Sequence, residues 1–573
     1  MADMKRQNNK QSLFQSFVLF FFLSLIIYGN TLTADFIWDD HHLVQNNVLI
    51  RNGSFIPVIF SKDIGAGVGT QFGFYRPVQT LTYLIDYSLW TRDPSGYHFT
   101  NILLHALVAW AVYLLMMELF GDPLLARLTG ILFAVHPIHT EAVAYIAGRA
   151  DLLAALFVLW SFLFYIKFFN EHKRIFYLGS CLSYLLALLS RENALILPLL
   201  LASWHFVLKK NIDPAVKKNS ISPSRFPVPC FVAFILITIF YLVLRLLVLK
   251  EGVASWNPHR PLLVQRLPGF FAAVTNYARL LLAPMDQHME YGQQLFSWNN
   301  LHVWGGIVIT IGLIVGVWRA QGKEDLIRFS ILWFILTLLP HANIFFPINA
   351  YMAEHWLYLP SIGFFVVVAH ALIELRKNHT WQNIARWMTA VLVILFSALT
   401  IIQNRYWQDE IAFCERTLQY NPGSWKICNA LGEAYRQRGR IDDAEKMFRR
   451  SLTFNVKNPG TYTDLGVIEG MKKNYPEAIH LFTQSISLDP NYATAYYNLA
   501  KVYCELKDTQ RAIALLTKAI ALNPYSCNTH HLLAEAYVLD QKFPLAVQHY
   551  EKALKLGCRE DLTAIEKLKM LHQ

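Results

Sequence analysis

The 573 residues are 54% apolar and only 16% charged, well short of the quarter charged that soluble domains carry, and this excludes a purely soluble protein. Lys and Arg number 51 against 40 Asp and Glu, a formal charge of +11. From Trp407 to Gln573 the chain holds 21 basic and 19 acidic residues, so the excess belongs to the apolar first 406, where loop charges orient helices rather than bind nucleic acid.

Lys5, Arg6 and Lys10 precede the apolar run Leu13 to Tyr28, which lacks a small-residue cleavage site and reads as a signal anchor. Runs long enough to cross about 30 Å of hydrocarbon recur downstream. Spans are expected near 13–29, 99–119, 125–145, 151–169, 175–190, 193–208, 228–249, 300–318, 328–346, 355–375 and 384–404, eleven in all. A twelfth stretch, 266–283, carries Arg266, Asn276, Arg279 and Pro284. Counting it as a span would turn the basic loops at Arg319/Lys323/Arg328 and Arg376/Lys377/Arg386 outward, so it is read as an interfacial or re-entrant helix of the outer face. The N-terminus and the loop Lys209/Lys210/Lys217/Lys218/Arg225 then face the cytoplasm, and everything after residue 406 lies outside, at the cell membrane of a prokaryote or in the endoplasmic reticulum of a eukaryote.

The first outer loop, about 30–98, opens with Phe36-Ile37-Trp38-Asp39-Asp40-His41-His42. Two adjacent carboxylates beside the bilayer are costly unless paired or used, and on an extended loop only one of them faces a given site. A solvated acidic turn and a metal nest of Asp39, Asp40, His41 and His42 are the alternatives, although that spacing is not diagnostic of a metal. Further outer-face clusters follow: Tyr75-Arg76-Pro77; His98, Asn101 and His105 at helical spacing; His136-Pro137-Ile138-His139-Thr140-Glu141; Gly148-Arg149-Ala150-Asp151; Ser190-Arg191-Glu192-Asn193; and Glu354-His355. A histidine on an apolar helix is more often a packing residue than a ligand, but these groups all fall on one side of the membrane. An arginine is the multi-donor clamp suited to a lipid-linked phosphate, which makes Arg149, Arg191 and Arg76 the candidates for donor binding, with His98, His105, His136, Glu141, Asp151 and Glu354 shaping the pocket.

The tail repeats with a period of 34: Leu431, Leu465, Leu499 and Leu533, each followed by Gly or Ala; Ala444, Ala478, Ala512 and Ala546; and Phe448, Phe482, Leu516 and Tyr550. This spacing predicts four tetratricopeptide repeats over 425–458, 459–492, 493–526 and 527–560, a preceding half-repeat, and a capping helix through Leu562, Ile565, Leu568 and Leu571. The fold class is therefore all-α, a polytopic membrane domain over 1–406 and an α-solenoid over 407–573. A concave solenoid groove suits a polypeptide partner or acceptor; a structural lid is the alternative. The seven cysteines lack paired spacing, so no disulfide framework or zinc motif is expected, and they read as small buried residues.

The strings Phe36–Asp40, Tyr75–Pro77, Tyr97-His98, Asn101–His105, Phe133–Val143, Gly148–Asp151 and Leu357-Tyr-Leu-Pro-Ser361 resemble, in order and across both halves, the TMTC family of transmembrane and tetratricopeptide-repeat O-mannosyltransferases. The resemblance implies a GT-C-type membrane domain, a polyprenyl-phosphate sugar donor such as dolichyl-phosphate mannose, transfer to protein Ser or Thr on the outer or luminal face, and Asp39 or Asp40 as the catalytic carboxylate. A monophosphate donor does not require a bridging metal, and divalent metal use is left open. One departure stands out. The family usually shows Glu-Arg where Glu354-His355 stands here, which shifts the donor-binding role toward Arg149 and Arg191. The rival readings are a GT-C transferase acting on a lipid or glycan, and a non-catalytic membrane scaffold.

Overall fold

The computed structural model describes residues 2–208, 228–249, 261–292, 294–321, 324–345, 347–348 and 350–558. The basic loop 209–227, Lys323 and the expected capping helix beyond 560 lie outside the described residues. The described residues are helical and contain no β-strand. They form two compact units. The first comprises residues 1–35, 75–82 and 89–408, and the second comprises 36–74, 83–88 and 409 onward. The sequence boundary at 406/407 and this division differ in one respect: most of the first outer loop belongs to the second unit.

Among the described residues of the first unit six helices are long and apolar enough to cross a membrane: Leu13–Thr33, Pro94–Phe120, Ile146–Glu171, Val228–Leu249, Leu301–Arg319 and Gln382–Trp407. Pro123–Val135, Arg174–Ser190 and Glu192–Val207 are shorter apolar helices, and Leu263–Leu282, which contains Pro268, is not among the six. Local chemistry sets the breaks. Gly121 takes the left-handed conformation (φ 66°) that ends one helix, the Asp122 carboxylate accepts from the amides of Leu124 and Leu125, and Pro123 opens the next. Pro137 forces His136 into an extended conformation, which stops the helix at Val135 and starts the irregular stretch 136–148. The core, around Phe133, Leu159, Phe162, Trp333 and Phe365, is continuous across these helices.

In the second unit, Glu410–Tyr420 precedes four helix pairs: Trp425–Gln437 with Ile441–Phe454, Pro459–Met471 with Tyr475–Leu488, Ala493–Glu505 with Thr509–Leu522, and Cys527–Leu539 with Phe543–Lys555. The period of 34 has a steric cause. An added Cβ at Gly432 or Gly466 would meet the Phe448 or Phe482 ring at 2.6 and 2.7 Å, so only a small residue lets the paired helices close. The turn inside each repeat puts Gly439, Lys473, Lys507 and Gln541, again 34 apart, at φ between 60° and 74°.

One expectation is corrected. Cys527 and Cys558 form a disulfide across the last repeat, with Cα atoms 5.9 Å apart. They begin and follow an antiparallel helix pair, a proximity that a separation of 31 residues does not reveal. The other five cysteines form no disulfide.

The loop residues pack on this solenoid. Val48, Leu49 and Ile59 form a small core with Phe55 and Tyr525, and Asn523 donates to the Val68 carbonyl at 3.1 Å.

Candidate functional site

The Trp38–Gln45 segment belongs to the second unit and is held by the first solenoid helix. Trp38 is in the left-handed region (φ 53°), a strained conformation for a bulky residue. Its amide donates to Glu410 Oε1 at 3.3 Å, and His41 Nε2 lies 3.0 Å from Glu410 Oε2. The carboxylate thus brackets Asp39 and Asp40. Burial on its own would lower the His41 pKa, but hydrogen bonding and charge from Glu410, with Gln45 and Asp40 adding to them, carry it up to about 9. Asp40 is buried, and its Oδ2 accepts the Ile37 amide at 3.3 Å, whereas Asp39 is half-buried. The adjacent carboxylates therefore differ: one is built into the loop and the other reaches its surface. Among the described residues no group of three or more His, Cys, Asp or Glu side chains is placed to hold a metal. His41 instead engages Gln45 at 2.6 Å and Glu410.

The other sequence candidates lie in the first unit, where most form a web of buried and half-buried charges. Arg76 makes a bidentate pair with Glu192, at 3.2 Å (Nε to Oε2) and 2.8 Å (Nη2 to Oε1). Arg191 is ion-paired with Asp151. Glu141 accepts the His355 backbone amide at 2.9 Å and lies 2.6 Å from its Nδ1. Glu354 accepts from the His288 amide and the Tyr291 hydroxyl, both at 2.7 Å, and from Gln287 Nε2 at 3.1 Å. A cavity of about 10 Å³, the size of a single water, is bordered by Asp151, Asn193, His341, His355 and Tyr358. Among the described residues Asn193 Oδ1 has no hydrogen-bond partner.

Arg149 sits differently. It is fully buried, and its guanidinium donates to Asn101 Oδ1 (2.8 Å), the Tyr97 carbonyl (2.9 Å) and Thr82 Oγ1 (3.4 Å), while Asn101 Nδ2 reaches the carbonyls of Val143 and Tyr145. These contacts brace the irregular stretch against the Pro94–Phe120 helix. His105 and His136 do the same kind of work: His105 bridges the Tyr358 hydroxyl (2.7 Å) and the Ala134 carbonyl (3.2 Å), and His136 reaches the Leu281 carbonyl at 3.2 Å. His98 is buried beside the backbone of Ala34, Asp35 and Ala144.

Sequence reasoning passed over Glu192 as the partner of Arg76, and it missed Gln287, Tyr291, His341 and, above all, Glu410. Glu192 was available as the neighbour of Arg191. Glu410 carried no local signal, because it acts on residues 369 and 372 positions away.

Apolar membrane-length helices, a web of carboxylate–guanidinium pairs and an α-solenoid define a membrane protein with a tetratricopeptide-repeat region. Models of the tetratricopeptide repeat match residues 426–457 and 471–524. Beyond the repeats, the chain is 29% identical over 453 residues to the protein O-mannosyl-transferase F38B6.6 of Caenorhabditis elegans, and 26% identical over 526 residues to the human protein O-mannosyl-transferase TMTC2; each match covers 75% of this chain and 61% of the relative. Human TMTC3, also named a protein O-mannosyl-transferase, is 25% identical, covering 77% of this chain and 51% of its own. The chain thus spans about half to three fifths of the length of these relatives. Among solved structures, a thermophilic tetratricopeptide-repeat protein of Thermus thermophilus aligns with 31% of the chain and 95% of its own, at 19% identity and a TM-score of 0.26.

Proposed function

We propose that this protein is a membrane glycosyltransferase that moves a sugar, mannose as the leading candidate, from a polyprenyl-phosphate donor to Ser or Thr hydroxyls of proteins on the outer or luminal face. The observation that carries this reading is the similarity, over three quarters of the chain and through both halves, to proteins named O-mannosyl-transferases.

The geometry supports distinct roles. Asp39, half-buried at the loop surface, is the general base that takes the proton of the acceptor hydroxyl. The hydroxyl oxygen bonds to the anomeric carbon as the bond to the donor phosphate oxygen breaks, and the configuration inverts. Asp40, tied to Ile37, keeps the loop in shape. Within the first unit, Arg76 and Arg191 are the cations suited to a lipid-linked phosphate, and their carboxylate partners Glu192 and Asp151 hold the guanidinium planes in place. Arg149 positions the helix ends. The solenoid groove takes the polypeptide acceptor. In the topology that goes with this reading the N-terminus is cytoplasmic, Leu263–Leu282 lies along the outer face, and the solenoid is outside, where the Cys527–Cys558 disulfide suits an oxidising compartment.

Incubating membranes containing the chain with radiolabelled polyprenyl-phosphate mannose tests this. Label entering protein in the wild type and not in Asp39→Asn at equal expression is the expected result. Label entering only a lipid or glycan fraction would overturn the acceptor, and full transfer by both Asp39→Asn and Asp40→Asn would overturn the mechanism.

A further inference from the structure

Away from the charge web, Pro123–Val135, Ser361–Lys377 and Gln382–Asn404 enclose a groove of about 460 Å³. Its walls are apolar, with Leu128, Ile131, Leu372 and Val393 among them, and the two charged residues lining it are Arg376 and Arg386. Both lie where Ser361–Lys377 ends and Gln382–Asn404 begins. From Arg386 to Ile394, another lining residue, the helix rises about 12 Å. The groove is therefore amphiphilic along its length, cationic at one end and hydrocarbon-lined over some two turns beyond. Trp381 and Trp387, 49% and 73% exposed, flank the cationic end, and tryptophan is the residue type enriched at the headgroup level of a bilayer.

Charge complementarity selects the occupant. Among the described residues neither arginine has an ion-pair partner. The neighbouring carboxylate, Glu374, is held by Lys377 at 2.6 Å, with His370 at 4.0 Å. Two guanidiniums facing one apolar slot match a single anionic phosphate joined to an acyl chain; a zwitterionic lipid would bring its own cation against them. We propose that this groove is a binding site for one anionic glycerophospholipid, with its phosphate between Arg376 and Arg386 and an acyl chain along Leu128, Ile131 and Val393.

The test is native mass spectrometry of the detergent-purified full chain titrated with dioleoyl phosphatidylglycerol or dioleoyl phosphatidylcholine. The wild type is expected to retain one phosphatidylglycerol and to prefer it over phosphatidylcholine by about tenfold or more. Arg376→Gln with Arg386→Gln should abolish the preference. Ala390→Trp, which fills the groove and keeps both arginines, should abolish retention. Arg127→Gln, the loss of a basic residue that does not line the groove, should leave retention and preference intact. Equal retention of the two lipids by the wild type, a preference that survives the double arginine change, or retention unaffected by Ala390→Trp would each overturn the site.

Discussion

The Glu410 carboxylate lies 3.0 Å from the His41 imidazole, so the first solenoid helix is tied to the loop that carries Asp39 and Asp40. The pair raises the His41 pKa from 6.5 to about 9, so its stabilising contribution is fully present below about pH 6.5 and is lost as pH rises through about 9. Thermal unfolding of the full chain across pH 6 to 10 should show the melting temperature falling by about 2–4 °C over that window. His41→Gln should flatten the profile. Glu410→Ala, which also removes the acceptor of the strained Trp38 amide, should lower transfer at every pH, and an unchanged rate would show that the loop holds its shape without the clamp.

The adjacent carboxylates should separate experimentally. Asp39→Asn is expected to lower kcat about 100-fold or more with KM and melting little changed, the signature of a lost general base. Asp40→Ala leaves the buried Ile37 amide unpaired and should cost about 1–3 kcal/mol of stability. Steady-state kinetics and denaturant unfolding on both variants distinguish the roles, and the opposite pattern would exchange them.

Arg191 and Asp151 form a buried pair. Arg191→Gln leaves Asp151 unpaired and should cost about 3–5 kcal/mol, whereas the double change Arg191→Met with Asp151→Leu should recover most of that loss. Transfer should stay absent in the double variant, because an apolar pair restores packing but supplies no charge to the leaving phosphate. Recovery of both stability and transfer would confine Arg191 to a structural role.

Replacing Cys527 and Cys558 by Ser should destabilise the last repeat by about 2–4 kcal/mol. Limited proteolysis should locate the loss to 527–558, and a reducing agent should reproduce it in the wild type. If the solenoid instead faced a reducing compartment, thiol labelling of freshly isolated protein would find both cysteines free.

Lysines at 473 and 507 and glutamine at 541 hold the left-handed turn position that glycine holds at 439. Lys507→Gly should therefore raise stability by about 0.5–1 kcal/mol in chemical unfolding, despite the loss of a side chain.

The solenoid was legible because its repeat follows from local sterics: a small residue beneath a ring, Gly432 under Phe448 and Gly466 under Phe482, recurs every 34 residues whatever surrounds it. The apolar helices were legible for a related reason, since bilayer thickness imposes a length and a composition that any window of sequence displays. The turn position at 439, 473, 507 and 541 has the same period but was hidden, because three of its four occupants are not the residue that the conformation favours.

At the candidate site the sequence by itself determined which residue types gather near the ends of the apolar helices: paired carboxylates, histidines and arginines. Their pairing was a tertiary decision. Arg149 and Arg191 read alike as isolated cations, yet one donates to Asn101 and the Tyr97 carbonyl and the other meets a carboxylate. A guanidinium's role depends on what lies within a few ångströms, and that neighbour is often more than 40 residues away, as Tyr97 is from Arg149 and Glu192 is from Arg76. The same limit hid Glu410 and the Cys527–Cys558 bond. Composition and period are properties of the chain, whereas hydrogen bonds and disulfides fall off within a bond length or two and exist only once the fold has brought their ends together.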